Sequence, residues 1–261
     1  MRRISFFVGS VVLLSLVASC GGGNTQPEFP DLGGAPGGAS GGAPVATVNA
    51  NSTVQGKITF EGAVPAASKI QMSADPYCQQ NNKDAFTEEV LVSDGGLENV
   101  ILYISNGLTE TNFPTPTEPK LIDQKGCHYI PHVFTMQTNQ PLKIKNSDAT
   151  LHNIHAYAEK NTAFNIGQAV QNMQNDVNFS QEEVVPLRCD VHKWMGAFVG
   201  VFHHPFHTVS VKGGSFELKV PAGNYEITAW HEKYGKQTAM VQVADNGSAE
   251  LNFTFKATTG D

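Results

Sequence analysis

Cys189-Asp190-Val191-His192-Lys193-Trp194-Met195 sets a thiol, an imidazole and a thioether at i, i+3 and i+6 of one short stretch. A second imidazole stands upstream, in Asn146-Ser147-Asp148-Ala149-Thr150-Leu151-His152-Asn153-Ile154-His155. A soft thiolate and a thioether favour copper, and imidazole suits that metal in both oxidation states. Around these stretches the chain reads as short alternating runs: His132–Met136, Leu142–Lys145, His152–Tyr157, Glu183–Leu187 and Phe198–Phe202. Thr53–Phe60, Glu89–Val92, Asn99–Ile104, Thr208–Lys212, Ser215–Val220, Tyr225–Trp230, Met240–Val243 and Ala249–Phe255 continue the pattern toward both ends. Gly, Asn, Asp or Pro separates most of them, which predicts an all-β sandwich or barrel. Only Phe164–Val177 could be a helix, and its many Asn and Gln residues point to a loop or one loose helix.

The span 129–200 resembles a cupredoxin, with a ligand loop similar to that of amicyanin. The matching positions are Pro131, Leu142, Asn146, His152, Asn153, Cys189, His192 and Met195. The resemblance implies a Greek-key sandwich holding one type 1 copper per chain on His152, Cys189, His192 and Met195. It also implies that Asn153 ties the two ligand loops together, that His155 is not a ligand, and that His192 reaches the surface as an electron port. Trp194, Ala197 and Phe198 then form an apolar docking rim. The sequence departs from the family at Asn139, where Gly is usual, and at Arg188, just before the thiolate ligand.

Other chemistries compete for the same residues. Zinc would leave Met195 idle. A binuclear copper centre needs two Cys in the loop, and only Cys189 is there. A Cys-His nucleophile wants an exposed thiolate and an orienting carboxamide, a part Asn153 fits. A thiol and a thioether on a strand-to-loop segment are, singly, more often core residues than ligands. Cys78 and Cys127 remain once Cys20 and Cys189 have been given roles. They are expected to form a disulfide, the alternative being a further metal site at Cys127 with His128 or His132. His203, His204 and His207 flank Pro205-Phe206, and His231 precedes Glu232; a second metal competes there with plain hydrogen bonding.

Residues 213–227 pair two alternating strands across Pro221-Ala222-Gly223-Asn224. That stretch resembles the transthyretin-like modules of carboxypeptidase regulatory domains. A module of 207–257 is thin for a free-standing sandwich. It therefore packs on the preceding domain, 53–206, or is completed by strands from 53–75. The sequence leaves open whether the copper-type domain precedes the module or is inserted in it.

At the N-terminus, Arg2-Arg3 precedes an apolar run ending Leu16-Val17-Ala18-Ser19-Cys20. This reads as a signal peptide over 1–19 and resembles a bacterial lipoprotein box, which implies a lipid on Cys20. An ordinary signal peptide that happens to contain a Cys is the alternative. Residues 21–52 hold nine Gly and four Pro, the composition of a flexible tether. A coil of ~30 residues spans ~30 Å r.m.s..

The chain has 261 residues, 40% hydrophobic and 16% charged, with 17 basic residues against 24 acidic ones. Losing Arg2 and Arg3 takes the net charge from −7 to −9. An acidic chain without basic runs makes nucleic acid a poor partner. The expected protein is a one-electron carrier rather than an enzyme, lipid-anchored in a bacterial envelope at the outer membrane, facing the periplasm or the cell surface. Its expected partner is a redox protein such as a c-type cytochrome or a copper oxidoreductase. A surface-binding or copper-handling lipoprotein without redox cycling is the alternative.

Overall fold

The computed structural model describes residues 49–258. The proposed signal peptide, Cys20 and most of the tether lie outside these residues. Among the described residues no helix is long and apolar enough to cross a membrane.

The described residues are nearly all β, in four sheets that pack as β-sandwiches. One pair of sheets encloses the stretches that carry the candidate ligands. Its larger sheet runs Phe164–Gln168, His152–Ala156, Glu183–Arg188, Gly196–Phe202, Val133–Gln137. Its smaller sheet runs Gln174–Val177, Leu142–Asn146, Lys120–Gln124, Tyr129–Ile130. Alternation along Leu142–Asn146 drives Leu142, Ile144 and Asn146 inward and leaves the two lysines at the rim. Tyr129, Met136, Ile154, Val185, Leu187 and Val199 fill the space between the sheets.

A second pair of sheets is assembled from both ends of the described chain. Ser52–Glu61 pairs antiparallel with Ser215–Val220 and parallel with Ser248–Glu250 and Phe253–Lys256. Ile101–Asn106 lies between His207–Val209 and Gly223–His231, and Gly235–Val243 closes that sheet. These sheets enclose their own core, including Val54, Ile58, Leu102, Phe216, Tyr225 and Phe255. The sheets therefore do not divide at residue 207. The apolar faces of 52–61 and 101–106 are buried against the C-terminal strands, whereas Met72, placed in the borrowed stretch, packs in the ligand-bearing core.

The two cores meet where Ile101, Val133, Phe198 and Phe202 pack together. Tyr103 stacks on Phe202 at 4.3 Å between centroids, and Trp230 meets Phe198 edge-on at 5.2 Å. His132 is hydrogen-bonded to Glu232 across the same seam.

Two local readings change. Phe164–Val177 forms two strands, because its register against His152–Ala156 and Leu142–Asn146 satisfies the backbone that its polar side chains leave unburied. Pro76–Asn81, not foreseen as a helix, is one: Asp75 caps it through Tyr77 N–H and Cys78 N–H, and Pro76 opens the first turn. Asn139 sits at φ 61°, a left-handed conformation that Asn tolerates, so Gly is not required there.

Candidate metal centre

His152 and His192 converge although forty residues separate them. Asn146 builds the first loop. Its Oδ1 accepts from Asp148 N–H at 2.9 Å, and its Nδ2 donates to the Thr150 and Gln168 carbonyls. The turn delivers His152 to the start of a buried strand, with no solvent exposure. The second loop is closed by its own backbone: Cys189 N–H donates to the Met195 carbonyl at 3.2 Å, and Met195 N–H to the His192 carbonyl at 2.9 Å.

The two imidazoles face one another through Nδ1, 3.0 Å apart. Without a metal one of these nitrogens has to carry a proton, whereas a metal held between the rings would be met by two Nδ1 lone pairs. Nitrogen atoms of both rings and the Cys189 sulfur all lie within 4.8 Å of one another, in a group whose three members are buried. Burial alone pushes the Cys189 thiol up, but hydrogen bonds with His152 and His192 outweigh it and bring the pKa down to about 5. A thiolate and two imidazoles in one buried cluster are donor types that suit copper. The residues present thus fit copper. Met195, the fourth expected ligand, is buried in the same core as Cys189.

Asn153 joins the loops. Its Oδ1 accepts from Asp190 N–H at 2.7 Å and Val191 N–H at 3.3 Å, and lies 3.3 Å from Cys189 Sγ. Its Nδ2 donates to Asn165 Oδ1 and to Asp190 Oδ2. His155 turns away from the sulfur and meets Asp190 Oδ2 at 3.0 Å. Arg188, the other departure from the family pattern, lies over the Phe198 ring at 4.6 Å.

The structure corrects the docking rim. His192 is only 3% exposed and reaches no surface. The helix Pro76–Asn81 and its cap cover it: Asp75 Oδ2 accepts from Nε2 at 3.0 Å, and Cys78 Sγ lies 3.7 Å away. Trp194 helps to cover the ring at 5.0 Å between centroids, while its Nε1 donates to the Cys127 carbonyl. Phe198, 8% exposed, is spent on the seam between the two cores, and Ala197 is buried. Strand alternation placed Phe198 on the outward face of one sandwich, but a second sandwich packs against that face.

Cys78 and Cys127 are joined by a disulfide, leaving Cys189 as the free cysteine among the described residues. His204 uses both ring nitrogens on backbone, Nε2 with the Ile104 carbonyl and Nδ1 with Phe206 N–H, so it has none left for a metal beside Glu182 and His203. Cys189 is 1% exposed, which denies a nucleophile the access a substrate needs.

Two residues of the site escaped the sequence reading. Asp148 Oδ2 meets His152 Nε2 at 2.9 Å, and Asp75 Oδ2 holds His192 Nε2. Asp148 lies four residues before His152, a spacing that puts it within reach; nothing in the sequence ties Asp75 to His192.

No protein-family model matches the chain, and no curated protein matches it. Among solved structures it is similar to a copper-containing nitrite reductase (NirK) from Thermus scotoductus SA-01. The identity is 12%, covering 38% of this chain and 25% of that one, with a TM-score of 0.32. The chain thus spans about a quarter of that reductase. It is also similar to a purple cupredoxin from Nitrosopumilus maritimus, at 19% identity over 31% of this chain and 98% of that one, TM-score 0.28. A methionine-to-alanine mutant of amicyanin in its Cu(I) form matches at 13% identity over 38% of this chain and 97% of that one, TM-score 0.30.

Proposed function

We propose that this chain is a mononuclear copper protein that carries single electrons, and that it is no enzyme. The observation that carries the reading is the pair of Nδ1 atoms 3.0 Å apart, with a Cys189 sulfur biased toward thiolate in the same buried cluster. His152, Cys189 and His192 would hold the copper, with Met195 as the weak fourth ligand. When bound, copper supplies a one-electron couple, Cu(II) to Cu(I). The protein's part is to keep the donors in one arrangement for both states. The Asn153 bonds fix the loop that bears the thiolate, the paired outer nitrogens fix the rings, and burial excludes water.

In the same reading a signal peptide is removed, Cys20 carries a lipid and the Gly/Pro-rich segment tethers the folded part in a bacterial envelope. The C-terminal strands, with Ser52–Glu61 and Ile101–Asn106, make a transthyretin-like module into which the copper-type sandwich is inserted. The acidic balance of the chain suits a basic redox partner such as a c-type cytochrome, whose association slows as salt is raised.

The test is Cu(II) titration of the purified full chain. An intense thiolate-to-copper visible absorption is expected at one equivalent, lost in Cys189→Ala, with reversible bleaching by a one-electron reductant. No such absorption at any loading refutes the reading. The burial of His192 favours one competing reading, copper holding without cycling. Copper that binds but is not turned over by reductant and oxidant selects it.

A further inference from the structure

The rings that meet through Nδ1 both turn Nε2 toward a carboxylate. Asp148 Oδ2 lies 2.9 Å from His152 Nε2, and Asp75 Oδ2 lies 3.0 Å from His192 Nε2. A proton on the outer nitrogen, donated to a carboxylate, leaves Nδ1 as the lone-pair atom facing Cys189.

Neither carboxylate is free to swing away. Asp148 accepts from Gly126 N–H and Cys127 N–H at 2.8 Å each and from the Tyr77 hydroxyl at 3.3 Å. Asp75 accepts from Tyr77 N–H, Cys78 N–H and the Thr150 hydroxyl. Asp148 is thus anchored beside one half of the Cys78–Cys127 disulfide, and Asp75 beside the other. The disulfide ties together the two segments that orient the rings.

We propose, resting on the copper reading above, that Asp75 and Asp148 are positioning residues that lock both imidazoles with Nδ1 inward and bias the bound metal toward Cu(II). A carboxylate on the far nitrogen makes an imidazole a more basic ligand, and a nearby negative charge favours the more positive oxidation state. Asp148 has the stronger leverage, because its side chain is 3% exposed against 19% for Asp75. Reduction at this site adds one electron and moves no proton.

The test uses the copper-loaded full chain. Asp75→Asn is the lead variant: its Oδ1 keeps the cap on Tyr77 N–H and Cys78 N–H, while the Oδ2 position that meets His192 Nε2 and the Thr150 hydroxyl becomes an amide nitrogen. The charge and the acceptor facing the ring go together, and the helix stays capped. Asp148→Asn is the second. Cu(II) and Cu(I) affinities are measured separately by ligand competition, and the potential by voltammetry. Cu(II) affinity is expected to fall about tenfold or more with Cu(I) affinity little changed. The potential then rises by about 59 mV per tenfold, with the thiolate-to-copper absorption retained. An unmoved potential and affinity ratio in Asp75→Asn, with the absorption intact, overturns the proposal alone. A wild-type chain without that absorption overturns the copper reading and this proposal together.

Discussion

Removing the Cys78–Cys127 bridge tests how the buried site is kept shut. The cross-link closes a loop whose ends are 49 residues apart. Chain-entropy bookkeeping for a loop of that length gives about 4 kcal/mol at 25 °C, drawn from the unfolded chain. Cys78→Ala with Cys127→Ala should therefore lower the unfolding free energy of the metal-free protein by about 2–4 kcal/mol, read from urea denaturation. The loss has a local consequence too. The helix Pro76–Asn81 would then be held over His192 by the Asp75 bonds with His192 and Thr150, by the Tyr77 hydroxyl on Asp148, and by Asn82 Nδ2, which donates to the Gly126 carbonyl at 2.8 Å. Local opening becomes easier, and the Cys189 thiol, already biased toward thiolate, becomes reachable. Alkylation of the peptide containing Cys189, followed by mass spectrometry, should run at least several-fold faster in the double variant than in the wild type. A stability loss under about 1 kcal/mol would refute the entropic account. An unchanged alkylation rate would show that the helix does not guard the site.

Three further outcomes follow from particular contacts. Asn153→Ala strips acceptors from Asp190 N–H and Val191 N–H, and should cost about 1–3 kcal/mol by denaturation while shifting the copper absorption. Phe198→Ala opens the seam against Trp230 and Ile101, and should lower stability by about 3–5 kcal/mol in calorimetry, leaving copper stoichiometry at one. Burial holds His204 and His231 neutral, with pKa values of about 4 each, below the ordinary imidazole value of 6.5. The unfolded chain takes up those protons first, so stability is full above pH 6.5 and is lost as pH falls toward 4. Each ring contributes a slope of up to about 1.4 kcal/mol per pH unit, opposed in the whole protein by His132 and His152, which are held above the ordinary value. His231→Gln should therefore lessen the fall in denaturation midpoint between about pH 6.5 and 4.5, and an unchanged slope would contradict the account.

Strand alternation, the spacing of Cys189, His192 and Met195, and the His152-Asn153 pair were all legible as local patterns. Each is a short-range consequence of backbone period and side-chain chemistry, and needs no partner to be read. What covers those groups was not legible. Whether His192 faces solvent depends on Asp75 and the helix after it, over a hundred residues away, and a six-residue helix leaves almost no periodic signal. Phe198 carried the same alternation whether its outer face met water or Trp230. Local pattern was enough to establish an all-β chain with a soft, copper-suited donor set on two stretches, because donor type and strand period are properties of neighbouring residues. That both rings are backed by carboxylates and sealed beneath a disulfide-tied segment emerged only from the folded arrangement, because closure depends on long-range packing that no local pattern encodes.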